Sequence, residues 1–169
     1  MPRPAVLCRP VGGPGEEGVH HRIRHEVFVV EQGVFGDSDV DAHDASTSTI
    51  KVLAFAGDVA GGAVRLYPLG REVWQGDRLA VLAPFRAWNL GGPLVRFAVE
   101  TAAALGGHEM LAHVQGPNVR FFERLGWRRR GEPEVYVGLP HQLMAIDLTA
   151  PRLSSRGVRP VEARSPARS

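Results

Sequence analysis

Cysteine is almost absent from this 169-residue chain: Cys8 stands alone, which excludes both an internal disulfide framework and a multi-thiolate metal site. No run of about 18 apolar residues occurs, so a membrane-spanning helix is excluded as well. The opening MPRPAVLCRPVGGPG lacks the apolar core of a signal peptide, and the cytoplasm is the expected compartment. There is no Gly-Lys-Ser/Thr phosphate loop, no Gly-x-Gly-x-x-Gly fingerprint and no internal repeat, which removes the usual nucleotide-binding and solenoid readings. What remains, 44% hydrophobic and 22% charged residues, is the composition of a soluble globular protein. A chain of this length buries well over half its unfolded surface without staples, so one ordinary domain is expected, with Cys8 as a small core residue of a first strand.

Charge is unevenly placed. The pI is 9.2, yet five arginines (152, 156, 159, 164 and 168) face a single acid, Glu162, in residues 150–169. Residues 1–149 keep fifteen basic and seventeen acidic side chains and are slightly acidic. The basicity therefore belongs to a Pro/Ser/Arg tail, 150–169, expected to be disordered. Without interleaved aromatics that tail gives little reason to expect nucleic acid as a partner.

Periodicity and turn residues order the remainder. Pro4–Val11 reads as a strand and Gly12–Gly18 as a glycine-rich loop. Apolar residues at Ile23, Val27 and Val30 read as a helix from His20. Gly33–Thr49, with Asp37, Asp39, Asp41 and Asp44, reads as an acidic loop that folds over a ligand. Ile50–Phe55 and Val59–Tyr67 flank a Gly57-Asp58 turn and form a hairpin. Leu79–Leu82 is the wholly apolar centre of a strand covered on both faces. A helix carries Leu90, Leu94, Phe97, Ala98, Thr101 and Leu105 on one stripe, ended by Gly106-Gly107. Met110–Val114 is another strand, Asn118–Leu125 a short helix closed by Gly126, and Val135–Val137 and Leu143–Leu148 are two last strands. The predicted class is a mixed α/β sheet with a strand–helix–strand unit at its centre.

The stretch that carries chemistry is Arg78-Leu-Ala-Val-Leu-Ala-Pro-Phe-Arg-Ala-Trp-Asn-Leu-Gly-Gly-Pro-Leu94. An apolar strand enters a loop that opens an amphipathic helix whose first turn holds Gly91, Gly92 and Pro93. Free N–H groups beside residues without side chains let a phosphate approach the backbone, and a first-turn proline removes a donor that has no partner there. Arg86 adds positive charge where the loop begins.

This strand–loop–helix, followed by a strand and Phe121-Phe-Glu-Arg-Leu-Gly-Trp127, resembles the GNAT superfamily of N-acetyltransferases. There the loop follows an Arg/Gln-x-x-Gly-x-Gly/Ala pattern. Here it reads Arg86-Ala-Trp-Asn89-Leu-Gly91, with Asn89, a residue tolerant of positive φ, at the first glycine. Gln115 and Asn118 take the asparagine and alanine places of the Asn-x-x-Ala-x-x-Phe-Tyr-Glu motif. Arg24-His-Glu-Val-Phe-Val-Val-Glu-Gln32, Val64-Arg65-Leu66 and Gly138-Leu-Pro-His141-Gln-Leu-Met144 look like a bacterial branch. Ala112-His-Val-Gln115 with Asn118–Trp127 is most similar to the acetyltransferase domain of nitrilase and nitrogen-starvation gene clusters. The likeness spans roughly residues 5–149. It implies a mostly antiparallel sheet with a splayed central strand, acetyl-CoA as co-substrate, no metal, and a small-molecule amine as acceptor. It also allows a homodimer.

The resemblance assigns candidates residue by residue. The backbone of Ala80, Val81 and Leu82 would bind the pantetheine arm and point N–H groups at the thioester oxygen. Arg86, Ala87, Trp88, Asn89, Leu90, Gly91 and Gly92 would hold the pyrophosphate. Gln115 and Asn118 would meet the arm, or serve as cap and turn residues. Phe122 stands where a tyrosine often protonates the departing sulfur; phenylalanine has no proton to give, which leaves Tyr136 as a candidate acid. An amine near pKa 10 needs roughly 4 kcal/mol to lose its proton at pH 7, so a base is expected. Glu31 and Asp77 are candidates, against a solvated helix end and a turn residue. Arg65 would orient an acidic acceptor or form an ion pair with Glu31, Asp41 or Asp44. His141 would contact substrate; His113 and His141 also read as satisfied histidines at strand ends. A CoA-binding sensor without turnover, and a nucleic-acid module using the tail, are the rival readings.

Overall fold

The structure is a computed structural model and describes residues 4–136 and 138–149. The arginine-rich tail expected over 150–169 lies outside the described residues. Among the described residues eight strands form one sheet: β1 (Val6–Pro10), β2 (Ile50–Ala56), β3 (Val59–Gly70), β4 (Val73–Val81), β5 (Glu109–Gln115), β6 (Arg128–Arg129), β7 (Glu134–Tyr136) and β8 (Leu139–Asp147). Their order is β1-β2-β3-β4-β5-β8-β6, with β7 also on β8. Every pairing is antiparallel except β4 with β5. Helix α1 (Pro14–Arg24) covers one face, while α2 (Gly91–Ala104) and α3 (Val119–Arg124) belong to the other. Among the described residues no helix is long and apolar enough to cross a membrane.

The larger core lies between the sheet and α2, where Leu94, Val95, Phe97, Ala98 and Ala102 meet Val52, Leu66, Met110 and Met144. A smaller one joins Ile23, Val27 and Phe28 to Leu53, Ala63 and Ala80. Cys8 is buried on β1, and burial raises its thiol pKa to about 12, as for an inert core thiol.

Three local features differ from the sequence reading. Residues 14–18, expected as loop, are helical: Pro14 opens α1 in a position that suits proline, and Glu16 in the first turn accepts the Gly12 N–H at 2.8 Å and pairs with Arg9. The glycines there mask a helix start. The helix then widens into a π turn over His25–Glu31, where Gln32 N–H bonds Val27 O five residues back. That extra residue per turn swings Val30 off the apolar stripe, leaving it 62% exposed. Finally, β3 and β4 are longer than the apolar runs suggest. They meet at a tight turn with Arg71 and Glu72 both at positive φ (54° and 63°), a geometry without the glycine or asparagine that would announce it. Of the strand expected over Val135–Val137, Glu134–Tyr136 is β7 and Val137 lies outside the described residues.

One irregularity shapes the whole sheet. Ala63 opposes Ala80 and Arg65 opposes Asp77, so Val64 faces two residues, Arg78 and Leu79, and β4 carries a bulge with Arg78 at φ 54°. A bulge bends its strand. Below it β4 pairs with β5 only through Val73–Gln75 against Glu109–Leu111, and beyond Gln75 the two strands part.

Candidate functional site

Where β4 and β5 separate, a cavity of about 130 Å³ opens between them. Its lining includes apolar Val95, Ala98, Met110, Phe122 and Trp127 and polar Gln75, Asp77, Arg78, His113, Tyr136 and His141. A second cleft of about 640 Å³ lies at the N-terminus of α2, lined by Arg86, Asn89, Gly91, Gly92, Arg96 and Arg124. Gln32, Leu79 and Asn118 line both, which makes the two a continuous groove.

Local sequence explains the second cleft. Pro84 opens a 3₁₀ turn, Ala83–Trp88, and Phe85 and Trp88 pack edge to face at 5.3 Å. The Phe85 ring occupies the space a side chain on Gly61 would need, which docks this turn on β3. Asn89 then takes the left-handed conformation (φ 53°, ψ 51°), as its residue type allows. Fully buried Leu90 anchors the start of α2, its carbonyl accepting the Leu94 N–H at 3.1 Å. The first-turn N–H groups of Gly91 and Gly92 have no intrahelical acceptor. The Arg96 guanidinium folds back to 3.4 Å from where a Gly92 Cβ would stand, and its Nε is buried without a hydrogen-bond partner. Three guanidiniums and two glycine amides at a helix N-terminus form an anion cradle.

The strand edge is selective. Leu82 N–H donates to Gly61 O at 2.9 Å. Because hydrogen-bonded and non-bonded pairs alternate in an antiparallel ladder, Ala80 opposite Ala63 also faces β3, while Val81 opposite Gly62 turns its N–H and C=O into the groove. Arg86 Nε donates to that Val81 carbonyl at 3.2 Å. Of the three positions expected along the thioester, then, Val81 alone presents its amide. Val81 and Leu90 line the cleft; Ala80, Leu82, Ala87 and Trp88 do not.

The candidate carboxylates are both engaged. Glu31 ends the π turn and pairs with Arg86. Asp77 accepts from Arg65 Nε and Nη2, each at 2.7 Å, and from the Tyr67 hydroxyl at 3.2 Å. Arg65, fully buried, also grips Asp41 and reaches Asp44 at 3.1 Å, two of the three pairings open to it in the sequence. Around it Arg24 binds Asp39 (2.6 Å) and Asp44 (2.7 Å), and Arg78 reaches Asp39 and Asp41, each at 3.3 Å. Burial opposes the charge on Asp44, yet the Arg24 hydrogen bonds outweigh it and hold that carboxyl far below its ordinary pKa. Burial likewise opposes the Arg65 charge, and the Asp77 and Asp41 carboxylates push its pKa upward all the same. The acidic loop is thus bound down onto the sheet, and Val34 and Phe35 from it form part of the cavity wall.

On the opposite wall, Tyr136 stacks on His113 (5.1 Å between ring centres) and meets His141 edge to face at 5.2 Å. Phe122 is buried between Phe121 and Trp127 and lines the cavity. Gln115 Nε2 donates to Gln32 Oε1 at 3.3 Å, bridging the junction of the two clefts. Among the described residues no group of three or more His, Cys, Asp or Glu is arranged for a metal ion. The structure thus brings the Arg86–Gly92 loop, Val81, Gln115, Asn118 and Phe122 to one groove. Arg96, Arg124 and Gln32 join them without having been singled out in the sequence. Arg96 carried a signal, since it follows Gly92 by four residues and shares its helix face.

An open, mostly antiparallel sheet is thus parted at a bulged strand beside a basic helix terminus. The signature of the Acetyltransferase (GNAT) family matches residues 21–127, and the chain belongs to that family. It is similar to YjcF of Bacillus subtilis, an uncharacterized N-acetyltransferase, with 30% identity over 127 residues, covering 74% of this chain and 88% of that protein. Solved structures share the fold. Escherichia coli ElaA matches with TM-score 0.75 and 20% identity over 84% of this chain and 99% of that one. An acyl-CoA N-acyltransferase from Pseudomonas aeruginosa matches with TM-score 0.72 and 22% identity over 84% and 98%.

Proposed function

We propose that this chain transfers an acetyl group from acetyl-CoA to the amine of a small molecule, by direct attack within a ternary complex. The observation that carries this reading is the continuous groove, basic at the α2 terminus and running to the parted strands. Acetyl-CoA supplies an activated acyl thioester; the rest is the work of the chain. The Gly91 and Gly92 amides, with Arg86, Arg96 and Arg124, hold the diphosphate, and Ala87, Trp88, Asn89 and Leu90 shape the loop that presents them. The buried, unpartnered Arg96 Nε fits an anion in this cradle. Ala80 and Leu82 fix the strand edge on β3, so that the Val81 N–H is aimed at the thioester oxygen without reorganising. Gln115, Asn118 and Phe122 line the path of the arm. A diphosphate competes with Glu31 for Arg86, which frees that carboxylate at the groove's edge. Tyr136 is the proton donor to the departing sulfur. Asp77 keeps Arg65 in place, and the acceptor enters beside Arg78 and His141.

In this reading the chain is a cytoplasmic bacterial enzyme of the nitrilase and nitrogen-starvation cluster branch, free to act as a homodimer. Thiol release from acetyl-CoA in the presence of a broad amine library, together with calorimetric binding of CoA, tests it. Release with some amine supports it; neither heat nor thiol sinks it. One observation favours a second reading, a CoA-binding sensor without turnover: Glu31 and Asp77 are both held by guanidiniums. Tight CoA binding with no thiol release from any amine selects that one.

A further inference from the structure

Glu31 lines the diphosphate cleft and not the cavity between the strands, and Asp77 in that cavity is held by Arg65, while the opposite wall offers a different group. We infer that His141 Nε2 is the atom that takes the acceptor's proton; this rests on the acyltransferase reading above. His141 is 6% exposed and lines the cavity. Its Nδ1 lies 2.9 Å from Leu139 O. A carbonyl oxygen only accepts, so Nδ1 carries the hydrogen, and in the neutral ring the lone pair sits on Nε2. The tautomer is therefore set by the backbone of β8 itself.

Register places the ring where it is needed. His141 is directly opposite Gln115 in the β5–β8 ladder, so the two side chains stand on one face, and Gln115 bridges to Gln32 where the clefts meet. Edge-on contact with Tyr136 fixes the plane of the imidazole. The charged and titratable groups around it come from three strands. Glu134 of β7 is its cross-strand partner and Tyr136 follows on the same strand. From β5 comes His113, stacked on Tyr136. Asp77 and Arg78 of β4 share the cavity but are held in ion pairs. Among the described residues no carbonyl holds a His113 nitrogen, so its tautomer is not set in this way.

The protons balance as follows. An ammonium acceptor loses two on becoming an amide. His141 Nε2 takes the first and passes it to solvent. The nitrogen lone pair then forms the C–N bond, the C–S pair leaves on sulfur, and the second proton ends on that sulfur.

Two variants test the role. H141N keeps an N–H at the Nδ1 position for Leu139 O and removes Nε2; H141Q does the reverse. H141N is expected to keep the wild-type Tm and CoA affinity while kcat/KM falls on the order of 100-fold. Its residual activity is expected to follow the neutral fraction of the amine, rising with pH throughout the neutral range in place of the wild-type plateau above the imidazole's titration. Wild-type rates in H141N, or a pH profile of the same shape as the wild type's, overturn the inference and leave the acyltransferase reading standing. Nitrogen NMR showing the ring protonated at Nε2 and not Nδ1 overturns it whatever the turnover. A wild-type protein that neither binds CoA nor releases thiol removes the acyltransferase reading, and this inference falls with it.

Discussion

Two sets of charges border the groove, and they differ in kind. At the diphosphate end, Arg86 and Glu31 keep 47% and 40% of their side chains exposed and hold one another across open solvent. Beneath the acceptor end, Arg24 and Arg65 are fully buried and tied to Asp39, Asp41, Asp44 and Asp77. Water screens the first pair and leaves it worth a fraction of a kcal/mol, so an incoming anion can displace it. The second set has given up its water, and removing one member strands its partners without compensation. Similar residue types thus yield an exchangeable latch at one end and a fixed foundation at the other.

Breaking the foundation is expected to have the largest effect. Arg65→Ala leaves Asp77 with the Tyr67 hydroxyl and a long 3.9 Å contact to Arg78, and should destabilise the fold by roughly 3–5 kcal/mol, read as a fall in denaturant midpoint with an unchanged slope. Next comes acid. Burial, above all, lowers the His20 pKa from 6.5 to about 4, so the folded state resists a proton that the unfolded chain accepts. Stability is therefore complete above pH 6.5 and declines by about 3 kcal/mol as pH falls to 4. His20→Asn should flatten that interval in a pH series of unfolding curves. Below it, the depressed Asp44 and Asp41 give a further loss, since their contribution is present above the ordinary carboxylate pKa and disappears as pH falls toward their folded values. At the other end, Arg96→Ala should leave Tm nearly untouched and weaken CoA binding about tenfold or more, the scale of one charged hydrogen bond; equal affinity by calorimetry would remove Arg96 from the cradle. The smallest effect belongs to the latch. Glu31→Gln should shift stability by less than about 1 kcal/mol and tighten CoA binding modestly, because Arg86 no longer has a competitor.

The same contrast explains what the sequence disclosed. The Arg86–Gly92 loop was legible because its chemistry is local: Asn89 takes the left-handed conformation its type permits, and Pro93 sits in the first helical turn. The hairpin at Gly57-Asp58 and the stripe of α2 were readable for the same reason. The buried ionic cluster was legible only in part. Gly33–Thr49 reads along the chain as an acidic loop that folds over a ligand, with Asp41 and Asp44 open to Arg65, and only the fold brings Arg24 and Arg78 against it as well, from 15 to 39 positions away. Arg78 hid the bulge, since an arginine in a strand does not advertise φ 54°. The parting of the strands came from family likeness, and its local cause emerged only from the register.

That bulge has a consequence for how anything enters. The gap beside it comes from one surplus residue in β4 opposite Val64, not from a hinge between moving parts. An aperture set by register exists before anything arrives, so a visitor threading between the strands has no ladder hydrogen bonds to break there.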